Sequence, residues 1–154
     1  MKKLTLCPAV AAVAVLAASG AWAAQCEGVG ARKYSEPVII QKAEDGATTM
    51  LIRSTGTNTI LNPAQIAGTM WQHCTGFWTV NADKSGSGSG NCYSLDADGD
   101  QWIVSWQGDN AGGTWAHVSG TGKYANQNGG GNWKYGARFA DGIGLTPWDG
   151  SCGD

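Results

Sequence analysis

Two histidines, His73 and His117, are the side chains of this chain best suited to move a proton. Because a free imidazole has a pKa of about 6.5, either residue can act as an acid or a base near neutral pH. Each stands two residues after a tryptophan, in the segments WQH and WAH. A histidine in such an alternating segment is more often packed and hydrogen-bonded. We therefore treat both as catalytic candidates whose alternative role is structural.

Other motifs with a known chemical mechanism are lacking. The chain has no Gly-x-Ser-x-Gly elbow and no His-Glu-x-x-His pair. The sequence GTGK at residues 120–123 lacks the spacing of a phosphate-binding loop. The sequence DADGD at residues 96–100 resembles part of a calcium loop, but Gln101 and Gln107 stand where that loop needs Gly and Glu. An Asp-Gly pair between strands predicts a hairpin turn instead. We predict no metal site and no cofactor.

The cysteines indicate disulfide bonds. Cys7 lies in an N-terminal segment that we expect to be removed, which leaves four cysteines, an even number in an exported chain. No CxxC pair is present, which argues against a zinc site. Cys74 and Cys92 fall on consecutive predicted strands, whereas Cys26 and Cys152 lie near the termini, which a bridge would tie down. We expect the pairs Cys74–Cys92 and Cys26–Cys152. The alternative pairs are Cys26–Cys74 and Cys92–Cys152.

The first 23 residues have the pattern of a signal peptide. Lys2 and Lys3 precede an apolar stretch at residues 4–18, and AWA at residues 21–23 provides a cleavage site before Ala24. The apolar stretch is too short for a membrane span, and no later segment is apolar enough for one. We expect export to the periplasm or the extracellular space.

Composition limits the classes of protein that remain. The chain of 154 residues has 24 Gly, 8 Trp and 14% charged residues, against a usual charged fraction of about 25%. Residues 24–154 suffice for a single domain. Cleavage before Ala24 leaves eight basic and twelve acidic residues, a net charge of −4, which argues against a nucleic-acid partner. The glycines follow no three-residue repeat, which excludes collagen.

Short β-favouring segments separated by Gly, Asn and Asp predict an all-β fold. The Ser/Gly stretch at residues 84–90 predicts a long, mobile hairpin loop between two of the strands. Seven or eight strands of this spacing indicate an antiparallel barrel or a β-sandwich. The predicted strands cover residues 33–42, 48–61, 70–80, 91–96, 101–107, 114–119 and 131–140, with a further segment at 123–126.

Alternation gives two of these strands an aromatic face and a polar face. Trp102 and Trp106 share one face, and Trp133, Tyr135 and Phe139 share another. We expect both aromatic faces to point inward, where the rings either fill the interior or line a pocket. These five residues are the predicted ligand-binding residues.

A resemblance to a known group of proteins supports the predicted barrel. The sequence GTGKYA at residues 120–125, followed by Gly129, Gly131 and Trp133, resembles a stretch of the allene oxide cyclase-like and dirigent-like β-barrels. Small exported bacterial proteins of that group also carry a segment similar to residues 90–100. The resemblance covers residues 74–139 and implies an eight-stranded antiparallel barrel of the calycin kind with a largely apolar cavity. It implies no catalytic residue, because no stretch matches those of the plant proteins.

Three functions are compatible with these observations. The first is a non-enzymatic exported barrel that binds a small apolar or aromatic ligand in its interior. The second is a cofactor-free cyclase or isomerase of the allene oxide cyclase-like type, in which a histidine moves a proton. The third is a carbohydrate-binding module, which requires a row of exposed rings. The location of the tryptophan rings discriminates among the three.

We predict that the mature protein begins at Ala24, because Ala21 and Ala23 are the small residues that signal peptidase requires. Intact mass and N-terminal sequencing of exported protein test this. A retained Met1, or a mass that includes a lipid on Cys26, would contradict the prediction.

Overall fold

A computed structural model describes residues 24–62 and 66–153, and within these ranges most of the chain forms β-strands. The predicted signal peptide lies outside the described residues. No helix in the described ranges is long and apolar enough to cross a membrane. The strands are β1 (Ala24–Tyr34), β2 (Val38–Lys42), β3 (Thr48–Asn62), β4 (Gly68–Val80), β5 (Gly86–Leu95), β6 (Gln101–Asp109), β7 (Gly112–Gly120), β8 (Asn128–Lys134) and β9 (Ile143–Gly153).

Eight of these strands close into an antiparallel barrel. Strands β3 to β9 pair in sequence order, and β1 closes the circle by pairing with both β9 and β3. Strand β2 continues along the same edge of β3 beyond the end of β1. The interruption between them contains Pro37, which has no backbone N–H to donate to the sheet. The antiparallel barrel expected from the sequence is confirmed.

The two ends of the barrel differ. At one end the side chains of Cys26, Ile60, Met70 and Tyr124 are all buried, with at most 2% of each exposed. Tyr124 belongs to a short 3-10 helix, Gly122–Tyr124, which makes a hydrogen bond from the Tyr124 N–H to the Thr121 carbonyl at 2.9 Å. The further strand expected at residues 123–126 is therefore wrong, because this segment turns so that Tyr124 can close the barrel end.

The Ser/Gly stretch forms a strand, which corrects the predicted mobile loop. The turn is confined to the residues before Gly86, where the Asn81 N–H donates to the Ser85 carbonyl at 2.8 Å. Strand β5 then pairs with β4 and β6 along its length. Its inner face carries glycines because the Trp78 ring lies over Gly88, so closely that a Cβ there would overlap the indole. Close approach of the Trp78 ring at Gly86 and Gly88, and of the β4 backbone at Gly90, explains these glycines.

Two disulfides brace the barrel, with the predicted pairing. Cys74 and Cys92 are directly opposed on β4 and β5, and Cys26 joins Cys152 between the first and last strands. Both pairs point inward. The second bridge fastens the two strands whose pairing closes the barrel. The predicted hairpin turn at residues 96–100 is also confirmed, with a hydrogen bond from the Asp96 N–H to the Asp100 carbonyl at 3.0 Å.

We predict that Gly28→Ala destabilises the barrel by about 1–3 kcal/mol, because a Cβ at residue 28 would overlap the Thr59 carbonyl and the Trp148 ring. Gly144 is the matched control, since it is also buried and inward-facing but a Cβ there would lie 3.5 Å from Tyr34 Cε2. Gly144→Ala should change stability by no more than about 0.5 kcal/mol. Denaturant unfolding measures both values. Equal losses in the two variants would contradict this packing.

Candidate functional site

The barrel contains a cavity of about 730 Å³ that lies above a floor of tryptophan rings. Trp102, Trp115 and Trp148 pack edge to face, with ring centroids 5.5–5.9 Å apart. Tyr124 stacks beneath Trp102 at 5.9 Å. Each of the three indoles is at most 8% exposed. The floor is therefore a rigid aromatic layer that separates the cavity from the closed end of the barrel.

The wall stays open because its indole rings lie against glycines. Trp106 on β6 is opposite Gly90 on β5, which is opposite Gly76 on β4. A Cβ on Gly76 would overlap the Trp106 ring, so the indole extends across two neighbouring strands. Trp133, Gly113 and Gly108 form a second row of this kind. Rings laid along the wall leave the centre of the barrel free.

The mouth of the cavity is formed by a segment that extends past the last residue of β8. The predicted strand over residues 131–140 ends at Lys134. The chain then runs along β9, where the Gly136 N–H donates to the Leu145 carbonyl and the Leu145 N–H donates to the Ala137 carbonyl. Tyr135 is 36% exposed and Phe139 is 54% exposed. These two rings are therefore rim residues, not buried interior residues as expected. The five predicted aromatic residues all line the cavity: Trp102, Trp106, Trp133, Tyr135 and Phe139.

Polar side chains inside the cavity were not identified from the sequence. Asn58 accepts a hydrogen bond from Trp148 Nε1 at 2.8 Å. Gln72, which is 2% exposed, donates to Ser94 Oγ at 2.9 Å, and its Oε1 has no partner among the described residues. The signal was present in the alternation of β3 and β4, where Asn58 and Gln72 share the inward-facing positions.

A tryptophan in the wall of the cavity also has a polar atom without a hydrogen-bond partner among the described residues. The Trp133 indole N–H donates to the Thr114 carbonyl at 3.1 Å, whereas Trp106 Nε1 is buried without a partner in the described part of the chain. Buried donors are normally satisfied by protein, water or ligand. Trp106 thus offers one hydrogen bond to an occupant of the cavity.

The two histidines lie away from the cavity lining. His73 is on the outer face of β4, where its ring stacks on Trp71 at 6.1 Å and its Nε2 lies 2.9 Å from Thr75 Oγ1. His117 accepts a hydrogen bond on Nδ1 from Trp102 Nε1 at 3.0 Å. Burial lowers the pKa of His117. Its neutral form therefore accepts the hydrogen bond that holds Trp102 in the aromatic floor.

A charged cluster lies outside the barrel at its closed end. Lys123 Nζ is 2.7 Å from Asp96 Oδ2 and 3.1 Å from Asp98 Oδ2. Asp96 also accepts hydrogen bonds from the backbone N–H groups of Asp98 and Asp100 at 2.9 Å. The cluster joins the hairpin turn to the 3-10 helix that carries Tyr124, so its evident role is to hold the closed end in place.

Comparison with known proteins finds likenesses among solved structures only. No protein-family model matches the chain, and no curated protein matches it. Among solved structures, the chain is similar to the pterocarpan synthase dirigent protein GePTS1, with 14% sequence identity and a TM-score of 0.44. The alignment covers 82% of this chain and 81% of that protein.

We predict that the protein loses stability as the pH falls through about 6.5, the pKa of an unperturbed histidine. Because burial lowers the pKa of His117 in the folded state, the unfolded chain binds a proton at a higher pH, and acid favours unfolding. The loss should continue until the pH falls below the folded-state pKa. Protonation of Nδ1 also removes the acceptor that holds Trp102.

Denaturant unfolding of wild type and His117→Asn between pH 8 and pH 5 tests this prediction. Asn retains a polar group near the position of Nδ1 but does not titrate. His117→Asn should show a shallower decline than wild type. Identical pH profiles would show that His117 does not carry the effect.

Proposed function

We propose that this protein is an exported, non-enzymatic barrel that binds one small apolar or aromatic molecule in its cavity. The observation that carries the proposal is the wall in which Trp106 and Trp133 lie flat over glycines. An eight-stranded barrel either fills its interior with side chains or holds one small ligand. Here the largest side chains of the wall lie along it, and about 730 Å³ remains open. Known ligand pockets fall in the range of about 300–1,000 Å³.

The chemistry of the lining supports binding more than catalysis. Neither His73 nor His117 is among the cavity-lining residues, and the described lining contains no Asp, Glu or Lys. The lining cysteines, Cys74 and Cys92, are joined in a disulfide. The titratable side chains that remain in the lining are tyrosines and arginines, which are poor general acids and bases at neutral pH. The arrangement of largely apolar walls with a few polar groups matches a binding pocket.

The disulfides support export. Structural disulfides form and persist in oxidising compartments such as the periplasm and the extracellular space. The proposed signal peptide at residues 1–23 would deliver the chain there. The N-terminal analysis described above for Ala24 tests this part of the proposal.

We predict that a neutral, polarity-sensitive naphthalene dye, 6-propionyl-2-(dimethylamino)naphthalene, binds with a blue shift in its emission. Gly144→Phe should weaken binding at least roughly tenfold, because Gly144 lines the cavity and a bulky ring there would occupy it. Leu145→Phe is the matched control, since the adjacent residue of β9 faces away from the cavity. It should leave the affinity of the dye unchanged.

Thermal unfolding of both variants establishes that they fold. If Gly144→Phe does not fold, Val104→Phe adds volume at another position in the lining and replaces it. Absence of dye binding to wild type, or equal binding by the cavity and control variants, would overturn the proposal.

A further inference from the structure

The arginines of this acidic protein are distributed unevenly. The chain contains three arginines, and all three, Arg32, Arg53 and Arg138, line the cavity. The chain also contains twelve acidic residues, and none in the described ranges lines it. The cavity is therefore positively charged although the protein as a whole is negative. A cavity lined by positive charge attracts anions even when the protein as a whole is negatively charged.

Arg32 is the arginine that lies inside the barrel. It follows Cys26, Gly28 and Gly30 on the inward face of β1, and its guanidinium lies against Gly30, where a Cβ would come within 2.8 Å of an Nη atom. Its Nε is buried and has no hydrogen-bond partner among the described residues. The ion pairs of these residues all involve Lys123, so no described carboxylate neutralises Arg32.

Burial without a counter-ion is costly for this side chain. Burial lowers the pKa of Arg32, and the neighbouring Tyr34 only partly opposes that effect. Arginine nonetheless stays protonated at neutral pH, so the cavity keeps its positive charge. A buried charge is normally paired, because its desolvation is not otherwise compensated. A carboxylate on a bound molecule would supply a counter-ion for Arg32, and its planar shape matches that of the guanidinium.

We propose that the ligand of this cavity is an aromatic or other apolar carboxylic acid whose carboxylate pairs with Arg32. The apolar part of the molecule packs against the Trp106 and Trp133 rings, and the free Trp106 indole N–H provides a second donor. Arg138, whose guanidinium carbon lies 5.6 Å from the centroid of the Tyr135 ring, extends the positive field to the mouth. This proposal rests on the proposed function, since it names the chemical class of ligand for the same cavity.

The test compares 2-naphthoate with 2-acetylnaphthalene, which has the same ring system and a neutral methyl ketone in place of the carboxylate. Calorimetry on wild type should show roughly 10- to 100-fold tighter binding of 2-naphthoate, the range expected when a hydrogen bond to a charged group is gained. Arg32→Met should abolish that preference while retaining binding of 2-acetylnaphthalene. Lys33→Met is the matched control, because it removes the same charge from the adjacent, exposed position on β1.

The outcomes separate this proposal from the proposed function. If wild type binds neither compound, the proposed function itself fails. If wild type binds both with equal affinity, or if Lys33→Met lowers the preference as much as Arg32→Met, the cavity binds ligands but the carboxylate assignment is wrong. If Arg32→Met does not fold, Arg32→Gln replaces it in the same comparison of the two compounds, and retention of the full preference in that variant would overturn the assignment to Arg32.

Discussion

The structure depends on the close packing of tryptophan rings against glycine backbone across neighbouring strands. A Cβ atom at any of the glycines that these rings cover would overlap an indole or an adjacent carbonyl. Each ring can therefore lie in its position only if the residue beneath it is glycine. The packing uses large apolar rings to cover the inner surface of the barrel while adding little thickness to the wall. The rings and the glycines they cover are Trp78 with Gly88, Trp106 with Gly76, Trp133 with Gly108, and Trp148 with Gly28.

The same constraint makes the barrel asymmetric. At the closed end, Trp102, Trp115 and Trp148 meet in the centre, and Tyr124 and the Cys26–Cys152 bridge complete the seal. Toward the mouth, the rings lie along the wall and the centre is empty. The most deeply buried large side chains therefore lie at one end of the barrel, and the other end carries a cavity with an arginine that no described carboxylate neutralises.

The sequence predicted much of this fold from alternation. The inward face of β6 was identified correctly, because Trp102, Val104 and Trp106 occupy every second position of the strand. The strand at residues 86–90 was missed, because Ser-Gly repeats usually indicate a flexible linker. Only the pairing of β5 with β4 shows that the Trp78 ring lies over two of these glycines. Strand β9 and most of β1 were missed as well, because inward positions in each strand are occupied by glycine, Gly144 and Gly150 in β9 and Gly28 and Gly30 in β1, which weakens the alternation of apolar and polar residues. Without β1, Arg32 had no predicted location, and the charge of the cavity was not foreseen.

The most direct measurement of the central claim, an open cavity occupied by a ligand, is an NMR experiment that detects intermolecular NOEs from bound 2-acetylnaphthalene. Val104 and Ile103 are adjacent residues of β6 on opposite faces, and of the two Val104 lines the cavity. We predict NOEs from the naphthalene protons to the methyl groups of Val104 and Met50, with none to Ile103. NOEs to Ile103 or to the exposed Trp71, without any to Val104, would show that the compound binds the outer surface and would contradict the account.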